Sequence, residues 1–164
     1  MTPSWLGRDM VALANIQVGD DILEPSAGNG AIVKEILDHM PDNCYVVAIE
    51  LNKKLFNELK QVSETWRFDP VCGDFLLNPL YMRAGYNRIV MNPPHRKCIA
   101  HIEKAASLLR HGGRLVALVH SVYLDEIKKI LPDVIIRPLP SETFVIEGNY
   151  IEAAVIVIDK GDGE

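Results

Sequence analysis

The sequence predicts a doubly wound α/β fold, a mostly parallel sheet with helices on both faces. Three observations lead there. Short β-rich runs alternate with helically spaced stretches along the chain, the signature of repeated strand–helix units. The strand candidates are continuous apolar runs, as in a sheet covered on both faces. No internal repeat, low-complexity tract or linker interrupts the 164 residues, a length that suits one domain able to bury roughly 70% of its unfolded surface.

The elements follow in order. Asp21–Glu24 is a short strand ended by Pro25. Ala31–His39 has helical spacing, and Tyr45–Glu50 is a strand. Asn52–Gln61 is a helix with Leu55, Leu59 and Val62 on one side and Asn52 as its N-cap. Arg88–Met91 is a strand, Ile99–Leu109 a helix and Arg114–Val119 a strand. Val122–Leu131 is a helix closed by Pro132, and Val134–Arg137 and Ala153–Asp159 are the last strands. Residues 160–164 read as a frayed tail of the single domain 1–164.

Composition narrows the function. With 48% hydrophobic and 24% charged residues the chain is ordinary for a soluble globular protein. Its longest apolar runs are too short to cross a bilayer, and Met1–Trp5 does not open a secretory signal. Cys44, Cys72 and Cys98 read as reduced, mostly buried thiols of a cytoplasmic protein, and neither they nor the histidines have metal-ligand spacing. The net charge of −5 by itself argues against a nucleic-acid partner. Its distribution argues the other way. Asn78–Arg114 holds seven basic residues (Arg83, Arg88, Arg96, Lys97, Lys104, Arg110, Arg114) against Glu103 alone, while the rest holds ten basic and twenty-one acidic. Such asymmetry marks either a phosphate-facing patch or cations scattered on unrelated faces.

In a doubly wound sheet, ligands sit beyond the carboxyl ends of the strands. Four segments there carry chemistry. Glu24-Pro25-Ser26-Ala27-Gly28-Asn29-Gly30 joins the first strand to a helix. Its glycines admit a ligand close to the backbone, and the helix start offers free N–H groups. Val33 stands where a dinucleotide loop has its third glycine, which lowers the case for a pyrophosphate cofactor. Glu50 ends the second strand, placed to accept both ribose hydroxyls of a nucleoside, with Leu51 beside it to pack on the base. Cys72-Gly73-Asp74-Phe75 offers a carboxylate for an adenine amino group and a ring to pack on it. Asn92-Pro93-Pro94-His95 follows the Arg88–Met91 strand. Its prolines fix the backbone and remove two donors, Asn92 adds an acceptor and a donor, and His95 adds a flat ring. The result is a rigid, acceptor-rich mouth for a planar group bearing an amino nitrogen.

In this order, these four segments resemble the amino-group DNA methyltransferases of the class I S-adenosylmethionine (SAM)-dependent fold, adenine-N6 type. The resemblance covers nearly the whole chain and implies a seven-stranded, Rossmann-like sheet with SAM as cofactor. Glu24–Gly30 is similar to the glycine-rich SAM loop, in wording closer to the adenine-N6 group than to other loops. Thr2-Pro3 with the helical stretch Asp9–Ala14 resembles the preceding segment that contacts the methionine end of SAM. Glu50 matches the ribose-binding acid and Asp74 the adenine-binding one, with Leu51, Phe75 and Asn92 alongside. Asn92–His95 matches the catalytic Asn-Pro-Pro-aromatic motif, with His in place of the usual Tyr, Phe or Trp. Leu139–Val157 resembles the last strand pair.

The resemblance implies a mechanism. The target base flips into the site and stacks on His95. The Asn92 side-chain carbonyl and the Pro93 main-chain carbonyl accept its amino hydrogens and aim the nitrogen lone pair at the methyl group. No dedicated base is needed, because the methylated nitrogen is itself acidic. Arg96 and Lys97 are expected to bind phosphates of the substrate. No room exists for a target-recognition domain in 164 residues, so low sequence specificity is expected unless a second copy or a separate subunit supplies it. The competing readings are an RNA-base methyltransferase (adenine N6 or guanine N2), a protein glutamine N-methyltransferase, and a non-catalytic partner subunit of the same fold.

Overall fold

A computed structural model describes residues 2–77, 85–146 and 149–161. Among these, seven strands form one sheet: β1 (Asp21–Glu24), β2 (Tyr45–Glu50), β3 (Phe68–Cys72), β4 (Tyr86–Met91), β5 (Leu109–His120), β6 (Ile135–Pro138) and, last in the chain, β9 (Ala153–Asp159). A short separate ribbon pairs β7 (Val145–Ile146) with β8 (Asn149–Tyr150). The order across the sheet is β3-β2-β1-β4-β5-β9-β6. Only β9 runs antiparallel to its neighbours.

The strands' continuous apolar runs are divided between two faces by the two-residue period of a strand. Ile22, Val46, Ala48, Val90, Val116 and Leu118 turn to one side. There α1 (Ser4–Ala14) and α2 (Ala31–His39) cover them with Leu6, Met10, Ile32 and Ile36. Leu23, Val47, Ile49, Ile89, Met91 and Leu115 turn to the other, under α4 (Cys98–Ser107) and α5 (Leu124–Ile130) with Ile102, Ala105 and Ile127. α3 (Lys53–Leu59) closes the β2–β3 end, where Leu59 is fully buried. α1 is fastened to α2 by Ser4 Oγ, which donates to Glu35 Oε1 at 2.7 Å.

Most boundaries match the sequence reading. Asn52 is the N-cap of α3, its Oδ1 accepting from the Lys54 and Leu55 N–H groups at 2.9 and 3.3 Å, although the helix stops at Leu59. β5 starts five residues before the expected Arg114. The segment after it is a 3-10 turn, Ser121–Tyr123, followed by α5, because the His120 ring caps the turn by accepting from the Val122 N–H at 3.2 Å. Leu139–Val157 is not a strand pair. The pair in the sheet is β6 with β9, and the residues between them form a 3-10 turn and the β7–β8 ribbon. The expected tail lies largely outside the described residues, as does Arg83.

Strand order reverses at β1, with β2 and β3 on one side and β4 and β5 on the other. This switch is where an open α/β sheet forms a crevice at its carboxyl edge. β1 delivers Glu24–Gly30 to that crevice and β4 delivers Asn92–His95.

Candidate active site

The Glu24–Gly30 loop turns back over the sheet edge. The Ala27 N–H donates to Ile49 O at 2.9 Å and the Gly28 N–H to Glu50 Oε2 at 2.7 Å. Two glycines have separate reasons. Gly30 has φ +88°, and a Cβ there would lie 2.6 Å from Val62 Cγ2, so the helix start packs where a side chain would stand. Gly28 has φ +58° and a Cβ on it would meet nothing within 4 Å, so its outer side faces open space.

That space is a cleft of about 190 Å³ lined by Thr2, Glu24, Ser26, Ala27, Gly28, Asn29, Ala31, Ile32 and Asn92. Glu24 is 1% exposed at its floor, and its Oε2 is buried with no partner among the described residues. Burial pushes the Glu24 carboxyl well above the usual range; the Val33 N–H opposes this and the neighbouring Glu50 charge adds to it. An unpaired buried carboxylate oxygen is costly unless a donor or cation meets it.

Glu50 is held at the end of β2 by two main-chain donors, Gly28 N–H on Oε2 and Asn52 N–H on Oε1, each at 2.7 Å. Asp74 lies beyond β3. Burial pushes its carboxyl up, but the Leu76 N–H on Oδ1 at 2.8 Å and the Lys97 ammonium 3.6 Å from Oδ2 outweigh it and hold it below the ordinary value. Leu51 is 62% exposed and stands free beside them. Phe75 does not. It is buried against the His101 ring, with the Lys104 ammonium over its face at 5.1 Å, so it supports the loop from the core side.

The Asn92–His95 motif leaves β4 and runs into a 3-10 turn over His95–Lys97. Asn92 Nδ2 donates to Thr2 Oγ1 at 3.0 Å, which turns the side-chain carbonyl the other way. Asn92 O accepts from Ser26 Oγ at 3.0 Å and Pro94 O from the Lys97 N–H at 3.0 Å. Pro93 O is the one carbonyl of the three that meets no donor among the described residues. On the far side of Asn92 a second cavity, about 530 Å³, is walled by Asn92, Pro93, His95, Cys98, Leu118, Val119, His120, Tyr123, Phe144, Ile151 and Ala153. It is mostly apolar, and burial followed by the nearby Glu126 charge pushes the Cys98 thiol up to about 11. Asn92 belongs to both cavities.

The structure thus brings Thr2, Glu24, Ser26, Ala27, Gly28, Asn29 and Asn92 into one cleft, with Glu50 and Asp74 on the neighbouring strand ends. Pro3, Pro25 and Gly30 shape it from behind: Pro3 O accepts from the Gly7 N–H at 2.9 Å, and Pro25 is buried. His120 and Tyr123 were not among the expected residues. Their rings meet His95, with centroids 5.2 Å from it in both cases. The signal for His120 is its place at the end of β5, at the same sheet edge as the expected residues, and Tyr123 follows in the 3-10 turn.

Among the described residues, the basic segment is not a patch. Arg88 Nε lies 3.3 Å from Asp20 and Arg110 Nη2 2.8 Å from Asp21. Arg114 pairs with Asp159 at 2.6 Å, which together raise its affinity for its proton. All three stand at the amino ends of β1, β4 and β5, opposite the crevice. Lys104 is consumed by the Phe75 and Leu76 carbonyls at 2.6 and 3.0 Å. Of the described basic residues in the segment, only Arg96 and Lys97 remain at the site, and Lys97 leans on Asp74.

Comparison with known proteins agrees with the fold. No family model matches. Ribosomal RNA small subunit methyltransferase A of Thermosynechococcus vestitus is 34% identical over 89 residues, covering 52% of this chain and 31% of its own. Among solved structures, the type I restriction-modification methyltransferase subunit of Streptococcus thermophilus superposes with TM-score 0.83 at 13% identity, over 98% of this chain and 44% of that one. TrmN of Thermus thermophilus gives 0.75 at 22% identity, over 96% and 48%. The chain therefore spans about a third of the curated relative it matches and under half of these two structures.

The fold is the Rossmann-like fold of class I SAM-dependent methyltransferases, and SAM is the cofactor it implies. The residues present fit that group. The unpartnered Glu24 oxygen suits a cationic ligand, and SAM carries an ammonium and a sulfonium. The open side of Gly28 leaves room for it, and two carboxylates close the adjoining strands.

Proposed function

We propose that this chain is a SAM-dependent N-methyltransferase acting on an exocyclic amino nitrogen of a nucleic-acid base, with adenine N6 in DNA as the first reading. The observation that carries it is the position of Asn92, the shared wall between the cleft under Gly28 and an apolar cavity, with its amide nitrogen tied to Thr2. On this reading the tie leaves the Asn92 carbonyl to meet a planar group in the larger cavity. Together with Pro93 O it offers two acceptors for the two hydrogens of one amino group. Glu24, Gly28, Glu50 and Asp74 would hold the cofactor, which supplies an electrophilic methyl group. Positioning and fixed dipoles supply most of the rate.

The Glu-Pro-Ser-Ala-Gly wording of the loop supports DNA. A second reading, an RNA base, is favoured by the ribosomal RNA methyltransferase relative. The chain would methylate adenines with little sequence context, or take its specificity from a partner. Incubating the purified protein with isotopically labelled SAM and, separately, DNA, RNA and protein, followed by mass spectrometry of the digests, tests both. N6-methyladenine from DNA supports the first reading and from RNA the second. Label only in glutamine, or none in any polymer, overturns both.

A further inference from the structure

The turn at Asp74–Leu76, just beyond β3, is held by one face of α4. Lys97, His101 and Lys104 stand four and three residues apart, the spacing that brings side chains to one side of a helix. The Lys97 ammonium lies 3.6 Å from Asp74 Oδ2, and the His101 ring packs on the Phe75 ring with centroids 5.5 Å apart. Lys104 Nζ donates to Phe75 O and Leu76 O at 2.6 and 3.0 Å and lies over the Phe75 ring at 5.1 Å. Phe75 O belongs to the same peptide group as the Leu76 N–H, which donates to Asp74 Oδ1 at 2.8 Å. That peptide is planar and trans, so its C=O and N–H point in opposite directions and fixing one end fixes the other. Lys104 therefore grips one end of a rigid plate whose other end orients the Asp74 carboxylate. A cation on the carbonyl also polarises the peptide and strengthens its N–H as a donor.

We propose that Lys104 is a positioning residue for the cofactor. Through the Phe75–Leu76 peptide it sets the Asp74 carboxylate for the adenine amino group of SAM, and with it the preference for adenine over a purine that lacks this group. The proposal rests on the reading above in which Asp74 holds the cofactor. Phe75 O and Leu76 O both turn toward α4, where a carbonyl left without a donor is costly. Without the ammonium, the turn would swing these carbonyls toward water, and the Leu76 N–H and the carboxylate on it would swing too. Glu50 is held independently, by the Gly28 and Asn52 N–H groups, so the effect falls on the base of the cofactor rather than on its ribose. Because α4 follows directly on the His95–Lys97 turn, the same helix that carries Lys104 also continues the Asn92–His95 motif.

Titration calorimetry of the full chain with S-adenosylhomocysteine and with S-inosylhomocysteine reads this preference without any methyl transfer. The second ligand carries a carbonyl oxygen in place of the amino group, so it meets Asp74 with a lone pair instead of a hydrogen. Wild type should favour the adenosyl ligand by about tenfold or more, the scale of a hydrogen bond to a charged group. Asp74→Ala should lose the preference and sets the floor. Lys104→Met keeps the apolar stem, removes the donor, and should lose most of the preference, chiefly through weaker binding of the adenosyl ligand. Lys104→Arg restores a donor for each carbonyl and should recover most of it. An unchanged ratio in Lys104→Met, or an equal loss of affinity for both ligands, overturns the proposal. The Leu76 N–H of the wild type should be protected from hydrogen exchange, and a freely exchanging Leu76 amide overturns the proposal even where Lys104→Met does not fold. A wild type that binds both ligands equally removes Asp74 from the adenine site, and this proposal with it, but leaves methyl transfer intact. A wild type that binds neither overturns the functional reading instead.

Discussion

Asn92 Nδ2 donates to Thr2 Oγ1 across 3.0 Å, a bond between residues 90 apart in sequence that fixes the orientation of the amide between the two cavities it lines. If that orientation serves catalysis, Asn92→Ala should abolish most methyl transfer while SAM affinity changes by less than about tenfold, about 1.4 kcal/mol. Thr2→Val, which keeps shape and removes the oxygen, should lie between wild type and Asn92→Ala in rate. Single-turnover kinetics with calorimetric titration of SAM read both. An active Asn92→Ala protein would contradict the acceptor role.

Glu50 should dominate cofactor affinity. Its carboxylate already fixes the Gly28 and Asn52 main chain, so Glu50→Ala would disturb the loop as well as the ligand. Glu50→Gln disturbs the loop less, because it keeps an acceptor for one of those two N–H groups. We expect it to weaken SAM binding by about 1.5–3 kcal/mol, the scale of a charged hydrogen bond. Titration calorimetry checks it, and unchanged affinity would remove Glu50 from the cofactor site.

Glu24 gives a pH dependence whose sign is fixed by its environment. Burial raises its carboxyl pKa in the folded protein above that of the unfolded chain. The folded state therefore holds the proton more tightly, and the stability this gives is lost as pH rises through the folded value. At pH above that folded value, Glu24→Gln should raise the melting temperature of the cofactor-free protein by about 2–4 °C, some 1 kcal/mol for a domain of this size. The same change should weaken SAM binding, because the cation loses its counter-charge. Thermal melts with and without SAM across pH read both effects. A variant that melts lower than wild type at high pH would show that the unpartnered oxygen carries no strain.

The placement of the candidate site was legible in the sequence for a physical reason. Strands buried on both faces show as apolar runs, and ligands collect where those runs stop, so Glu24, Glu50, Asp74 and Asn92 could be found one by one. What could not be read was which neighbour each side chain would meet. Phe75 looks like a stacking ring in one dimension, but Lys104, 29 residues away, covers its face and claims its carbonyl. Tyr123 is an ordinary helix residue in one dimension and the anchor of His95 in three. Arg88, Arg110 and Arg114 form a charge cluster on paper, yet strand register carries all three to the amino edge of the sheet.

Gly30 tests whether the loop geometry is imposed by packing. Gly30→Ala meets an unfavourable φ of +88° and a contact of 2.6 Å with Val62 Cγ2. The backbone conformation costs roughly 1–2 kcal/mol and overpacking adds about as much again. Chemical denaturation should show about 2–4 kcal/mol of lost stability. Gly28→Ala should lose only the backbone part, because open space surrounds it, but should weaken SAM binding more than its stability loss explains. Equal stability losses at the two positions would argue against this distinction.

On the proposed function, nucleic-acid binding should be weakly salt-dependent. Each phosphate neutralised contributes about −0.9 to the slope of log K against log salt on duplex DNA and about −0.7 on a single strand. Seven clustered cations would give a steep dependence. The structure leaves Arg96, and Lys97 if it releases Asp74, at the crevice. The slope from this surface is then about −1 to −2. Neutralising Arg96 and Lys97 together should flatten it and weaken binding to all sequences alike, since phosphate contacts position without specifying. Arg88→Gln, Arg110→Gln and Arg114→Gln should leave the slope unchanged and instead lower stability by breaking their carboxylate pairs. Fluorescence anisotropy with labelled oligonucleotides at several salt concentrations measures this for DNA and RNA in parallel. A slope steeper than about −4, or one that falls when the three arginines at the amino edge are neutralised, would mean that nucleic acid wraps the face opposite the crevice, and the substrate approach inferred from Asn92 would have to be redrawn.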